Sequence, residues 1–261
     1  MADNTKLRTL DLFSGIGGIS LALQPWCRTV CYCEIDPYAA GVLVANMAKG
    51  NIDVAPIWSD VKTFGQSEID QVGPIECIVG GDPCQANSKA SVFGSRAESL
   101  GGEFIRLVQA IRPACVFREN PIPRKDAPWP WWRFAFELEL LGYFVVPARI
   151  RACCVGTDHK RERMFVCAVL PDAVCKGLQM GGKAGTDQAN EKNKSQRNRP
   201  AISFALPQLE RCGPSFWSGK GHGIPCRVDR LKCLGNSVVP QCARKAFEIL
   251  TNSQVMLDGS E

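Results

Sequence analysis

Asp11-Leu12-Phe13-Ser14-Gly15-Ile16-Gly17-Gly18 closes the first apolar run of the chain and opens its first helical pattern. Arg8 to Phe13 reads as a buried strand, the glycines as a turn, and Ile19-Ser-Leu-Ala-Leu as the start of a helix. Glycines at the carboxyl end of a strand let a ligand come close to the backbone, at the edge where doubly wound sheets bind their ligands. Glu34 follows Gly15 by 19 positions, near the spacing at which an acidic residue on the second strand holds a ribose diol. The glycines do not fit the dinucleotide spacing Gly-x-Gly-x-x-Gly, and no Gly-Lys-Ser/Thr phosphate loop occurs. The turn therefore points to a nucleoside-bearing cofactor that is neither a dinucleotide nor ATP.

Outward from that turn the alternation continues. Val30 to Ile35, Glu76 to Val79, Cys115 to Phe117, Phe144 to Ile150 and Met164 to Val169 read as strands. Tyr38 to Met47, Glu103 to Ile111 and Trp132 to Leu141 read as helices, the last with Gly142 as its C-terminal cap. Strands alternating with helices predict an α/β fold with a doubly wound, mostly parallel sheet. The pattern stops after Pro171 and resumes in a last helix, Cys242 to Leu250. Residues 176 to 199 are polar and basic, with Lys192, Lys194 and Arg197 facing few acidic neighbours, which suits either a solvated loop or one that meets phosphates.

Composition bounds the rest. The chain has 261 residues, enough for one large core, and a net charge of +5 that permits a nucleic-acid partner without requiring one. Its 14 cysteines are too sparse for a disulfide scaffold, and with only two histidines and no Cys-x-x-Cys pair they do not make a zinc site. No metal is expected. Thirteen thiols are expected to pack as small core residues in a reducing, cytoplasmic setting, with no membrane segment. The exception is Cys84, in Gly80-Gly81-Asp82-Pro83-Cys84-Gln85-Ala86-Asn87-Ser88 directly after a short strand. A cysteine beside a rigid proline at a strand's carboxyl end is placed to act as a thiolate nucleophile on an electron-poor carbon.

Five segments in order then carry a specific resemblance: Asp-Leu-Phe-Ser-Gly-Ile-Gly-Gly, Gly-Gly-Asp-Pro-Cys-Gln, Arg118-Glu119-Asn120, Lys160-Arg161-Glu162-Arg163, and Leu234-Gly235-Asn236-Ser237-Val238-Val239-Pro240. Together they resemble the motif set of the DNA cytosine-5 methyltransferases, in the compact bacterial or phage form. The resemblance spans about residues 8 to 170 and 227 to 250. It implies a Rossmann-like methyltransferase domain that uses S-adenosylmethionine and no metal. That domain would comprise residues 1–170 and 230–261, interrupted by a small target-recognition region at 171–229. It further implies a monomer acting on a cytosine flipped out of double-stranded DNA, a restriction endonuclease partner being left open.

By the same resemblance Cys84 is the nucleophile that adds to cytosine C6, and Glu119 engages N3 and the exocyclic amine. Glu119 needs burial to stay protonated near neutral pH. Arg163 contacts O2 of the base, and Arg161 supports the pocket. For the cofactor, Phe13 stacks on the adenine, Gly15 and Gly17 admit the methionine part, and Glu34 binds the ribose with Ile35 beside the adenine. Asp60, followed by Val61, accepts from the adenine amine, and Asn236 and Ser237 lie near the amino-acid end. The segment Asn87 to Gly102 closes over the flipped base, and Gln85, Ser88, Lys89 and Arg96 join Lys192, Lys194 and Arg197 as DNA contacts.

The chain also departs from the family pattern. Asp82 stands where an uncharged residue is usual, and a carboxylate so near the nucleophile hinders thiolate formation unless a cation pairs with it or it points away. Pro121 follows Glu-Asn where an aliphatic residue is usual, and His159 replaces a common glutamine. Two alternatives stand beside the main reading: an RNA-directed relative, and a binding protein that keeps the fold but has lost turnover because of Asp82.

Overall fold

The strand Cys77–Gly80 is apolar and buried along its whole length, which is what a sheet covered by helices on two sides demands. In the computed structural model, which describes residues 6–83, 100–122, 130–157, 161–171 and 237–252, seven strands form one sheet in the order β3-β2-β1-β4-β5-β7-β6. These are β1 (Leu7–Leu12), β2 (Cys27–Cys33), β3 (Ile57–Trp58), β4 (Cys77–Gly80), β5 (Cys115–Pro121), β6 (Phe144–Arg151) and β7 (Glu162–Val169). β1 through β5 pair in parallel, while β7 runs antiparallel to both β5 and β6. The mostly parallel α/β sheet is therefore as the alternation predicts.

Six helices accompany it among the described residues: α1 (Gly18–Leu23), α2 (Pro37–Ala48), α3 (Gln66–Val72), α4 (Gly101–Ile111), α5 (Trp131–Leu140) and α6 (Pro240–Asn252). Side chains alternate between the two sheet faces. Cys77, Val79, Cys115 and Phe117 join Ile19 and Leu23 of α1 and Cys242, Ala243, Ala246 and Phe247 of α6. Ile78 and Val116 instead join Phe104, Leu107 and Val108 of α4 and Phe134 and Leu138 of α5. The carboxyl-terminal helix is thus part of the same apolar cluster as the first strand and helix, and it covers one face of the sheet.

Local chemistry sets several boundaries. Asp36 caps α2 by accepting from the amides of Tyr38 and Ala39, with Pro37 opening the helix. Gly142 takes a positive φ of 83° just past α5, the capping role its position suggested. The nine cysteines among the described residues carry free thiols, and seven of them are buried. No helix among the described residues is long and apolar enough to cross a membrane.

Three features differ from the sequence reading. β3 is a two-residue edge strand, and α3 has no buried residue, so neither gives an apolar period to read. β5 runs four residues beyond Phe117, through Arg118, Glu119, Asn120 and Pro121. Its polar half breaks the apolar pattern but keeps the ladder, each residue opposite one of β7 from Val166 back to Arg163.

Candidate active site

The parallel strands deliver their carboxyl ends to one rim of the sheet. The segments after β1 to β4 and the far end of β5 meet there. Because β7 is antiparallel, its first residues arrive at the same rim, with Pro121 opposite Arg163. One rim therefore collects segments far apart in the chain.

On the β1–β3 side the turn is held by main-chain groups. The Ser14 amide donates to Cys33 O at 3.0 Å and its hydroxyl to Asp11 O at 2.6 Å. Phe13 is held at φ 54° and Gly15 at φ 56°, so consecutive peptides turn back on themselves. The Gly15 amide donates to Glu34 Oε2 at 2.7 Å, and the Asp36 amide to Glu34 Oε1 at 2.7 Å. A Cβ at Gly15 would meet no atom within 4 Å, whereas one at Gly18 would lie 2.7 Å from Val238 Cγ1. Gly15 thus faces an open cradle, and Gly18 admits the carboxyl-terminal segment. Ile35 is 72% exposed at the same rim, and Phe13 is half-buried. Asp60 accepts from the Lys62 amide at 3.0 Å and opens a 3-10 turn in which Val61 is buried. An open, glycine-floored recess flanked by an apolar surface and two carboxylates fits an adenosyl group carrying an amino acid.

Beneath the turn, Asp11 is fully buried. Its Oδ2 accepts from the Ser20 hydroxyl at 2.6 Å, and Ser20 Oγ lies 2.8 Å from Thr29 Oγ1. Oδ1 has no hydrogen-bond partner. Burial pushes this carboxyl up to about 7, against the opposing bond from Ser20.

On the β4–β5–β7 side, charged side chains replace amides. Glu119 is buried, with Arg163 Nε 2.7 Å from its Oε1. Burial raises the Glu119 carboxyl above its ordinary range, although Arg163 and then Arg161 oppose the shift. Arg161 donates to Ser237 O at 2.6 Å, tying β7 to the segment that precedes α6, and its Nε is buried without a hydrogen bond. Burial, then the neighbouring Arg163, lowers its guanidinium from the usual value. A Cβ at Gly81 would sit 3.0 Å from Glu119 Oε2 and 3.3 Å from Glu119 O, a tight fit, so the glycine lets the chain leave β4 close to the carboxyl without displacing it.

At the next residue the chain is clamped. Arg118 Nε donates to Asp82 Oδ1 at 2.5 Å and an Nη to Oδ2 at 2.8 Å. Asn120 Nδ2 donates to Asp82 O at 3.1 Å and to Oδ1 at 3.2 Å. Asp82 is anomalous in the sequence alone, which does not show Arg118 and Asn120 as its partners. The usable signal was the requirement that a carboxylate there find a cation.

The structure therefore brings Glu119, Arg161, Arg163 and Ser237 together on one side, and Phe13, Gly15, Gly17, Glu34, Ile35, Asp60 and Val61 around the turn on the other. Cys84, Gln85, Ser88, Lys89, Arg96, Lys192, Lys194, Arg197 and Asn236 lie outside the described residues, as does nearly all of the 171–229 region. Among the described residues no group of three His, Cys, Asp or Glu side chains could hold a metal ion.

With this geometry in place, comparison with known proteins is specific. A family model described as C-5 cytosine-specific DNA methylase matches residues 7–211. The type II methyltransferase M.CviJI of Paramecium bursaria Chlorella virus IL3A is 29% identical over 170 residues, covering 64% of this chain and 44% of that protein. The type II methyltransferase M.AluI of Cellulosimicrobium cellulans is 32% identical over 184 residues, covering 64% of this chain and 34% of that protein. The chain thus matches less than half the length of these curated relatives. Among solved structures, a DNA modification methyltransferase encoded within an E. coli prophage aligns with a TM-score of 0.51 at 23% identity, over 64% of this chain and 47% of that one. That likeness carries the fold.

Proposed function

The chain belongs to the C-5 cytosine-specific DNA methylase family, and from that premise we propose that it methylates C5 of a cytosine flipped from duplex DNA. The observation that carries the reading is the buried Glu119–Arg163 pair beside Gly81, three residues before Cys84. Cytosine C5 becomes nucleophilic only after a thiolate adds to C6. Cys84 forms that bond. Glu119, raised toward its neutral form by burial, donates to N3 and accepts from the exocyclic amine, drawing off the charge that develops on the ring. Arg163 holds Glu119 in place and presents the rest of its guanidinium to O2, while Arg161 anchors the Ser237 backbone behind the pocket. S-adenosylmethionine, when bound, supplies the methyl group that C5 accepts. Loss of the C5 proton to solvent then restores aromaticity and expels the Cys84 thiolate.

Phe13, Gly15, Gly17, Glu34, Ile35, Asp60, Val61, Asn236 and Ser237 hold that donor. The open cradle at Gly15 and the exposed Ile35 support this assignment. Residues 1–170 and 230–261 act as one catalytic unit, a reading supported by the packing of α6 on α1. The 171–229 region, with Lys192, Lys194 and Arg197, meets DNA together with Gln85, Ser88, Lys89 and Arg96. Base extrusion costs a few kcal/mol, which such contacts must recover.

Incubation with tritiated methyl donor and duplex DNA is the direct test. Label is expected at C5 of cytosine, lost in Cys84→Ala, and bisulfite sequencing of DNA from expressing cells reads the target site. Absence of 5-methylcytosine from every duplex offered would sink the proposal.

A further inference from the structure

Asp82 and Arg118 are both anomalous alone: each is a charge almost wholly removed from water, with side-chain exposures of 4% and 1%. Burying either without the other would be strongly unfavourable. They meet because β4 and β5 are parallel neighbours with Gly80 opposite Arg118, so the first residues past β4 run alongside Arg118. The guanidinium engages both carboxylate oxygens, the fork geometry that fixes orientation as well as distance. Its carbon lies 4.2 Å from the centre of the Phe134 ring, so α5 backs the fork from behind. Asn120 bonds the Asp82 carbonyl, and that carbonyl belongs to the peptide leading into Pro83.

We infer that Arg118 and Asn120 are positioning residues for the nucleophile segment: they fasten Asp82, two residues before Cys84 in the sequence, to the strand that carries Glu119, and Arg118 cancels the carboxylate charge that Asp82 brings within two residues of the nucleophile. The inference rests on the reading of Cys84 as nucleophile. It explains why a carboxylate is tolerated at a position where it would otherwise work against thiolate formation. It also explains why Arg118 and Glu119 are adjacent in the chain: one strand then sets both the carboxyl that meets the base and the start of the segment that attacks it. Asp82 and Cys84 are two peptide units apart, at most about 7.6 Å between Cα atoms. At that range an unpaired charge is felt by the thiol.

The test is the pH dependence of Cys84 alkylation by iodoacetamide in the full-length protein, read from the mass of the Cys84 peptide so that the other thiols do not interfere. Arg118→Met is expected to raise the alkylation midpoint by about one pH unit, slowing the reaction about tenfold below it. Asp82→Asn removes the carboxylate and keeps the guanidinium, and is expected to lower the midpoint by about half a unit. The double variant should return close to the original value. Unmoved midpoints in both single variants, or a double variant displaced further than either, would overturn the proposal, since a merely structural role predicts no reversal. If Arg118→Met fails to fold, Asp82→Asn decides: a lowered midpoint supports the inference and an unmoved one overturns it. The alkylation needs neither DNA nor methyl donor. Shifted midpoints without DNA methylation would therefore overturn the proposed function and leave only the charge coupling of Asp82 and Arg118 to Cys84 standing, whereas methylation with unmoved midpoints would overturn this inference and leave the proposed function standing.

Discussion

The two halves of the strand-end rim hold their carboxylates by different means. Around β1–β3, Glu34 is held by the amides of Gly15 and Asp36, Asp36 by those of Tyr38 and Ala39, and Asp60 by that of Lys62. Around β4–β5–β7, Asp82 is held by Arg118 and Glu119 by Arg163. Amides are fixed by the fold and keep both carboxylate and backbone in place without burying a side-chain charge. Arginine–carboxylate pairs must be desolvated together, so each member depends on the other remaining. The half proposed to bind the donor is therefore built to persist through single substitutions, and the half proposed to be catalytic is built of pairs that fail together.

The sharpest way to break this contrast is Arg163→Ala beside Phe13→Ala. Removing Arg163 takes away the partner of Glu119 and the proposed donor to the base, and methyl transfer should fall by about 10³-fold in kcat. Phe13→Ala should act mainly on the donor, raising its KM with a much smaller change in kcat. Steady-state rates at saturating DNA with varied donor separate the two. Equal effects on kcat would show that the halves do not divide the work in this way.

Among the described residues, Asp11 is the carboxyl of the first half that is buried like those of the second, and it sharpens the comparison through pH. Its folded value of about 7 lies above the ordinary 3.8, so between these limits the folded protein holds a proton that the unfolded chain has released. Its contribution to stability is complete below the lower value and is lost as pH rises through the upper one. Asp11→Asn cannot ionise. From pH 5 to pH 8 its stability relative to the parent should rise by about 2–3 kcal/mol, measured by urea unfolding at the two pH values. A difference that does not change with pH would mean that Asp11 does not titrate in this window.

The same division explains what was legible in the sequence. The turn from Asp11 to Gly18, its distance to Glu34, and the strand-helix alternation are local patterns, and they placed β1, β2, β4 and most helices to within a few residues. The end of β5 was not legible from periodicity, because four consecutive polar or proline positions hide a strand whose side chains are buried in ion pairs. Glu119 and Arg163 stand out in the sequence only through the family resemblance; nothing in their spacing of 44 positions shows that an antiparallel β7 will lay one beside the other. The Asp82–Arg118 fork was invisible for the same reason. It spans 36 positions and depends on strand order, although the unexplained charge at Asp82 announced that a partner was needed.

Gly15→Ala is the mildest probe and the most discriminating for the amide-held half. The site is open, with no atom within 4 Å of a new Cβ, so packing does not oppose the substitution. What opposes it is the backbone at φ 56°, which costs an L-residue about 1–2 kcal/mol. For a domain of this size that corresponds to a fall of about 2–6 °C in Tm. If the added methyl also fills the cradle where the donor's amino-acid part sits, donor affinity should drop by more than the stability loss alone explains. Calorimetric titration with S-adenosylhomocysteine on the folded variant reads that excess. Affinity unchanged beside a lowered Tm would reduce Gly15 to a turn residue and move the donor cradle elsewhere along the rim.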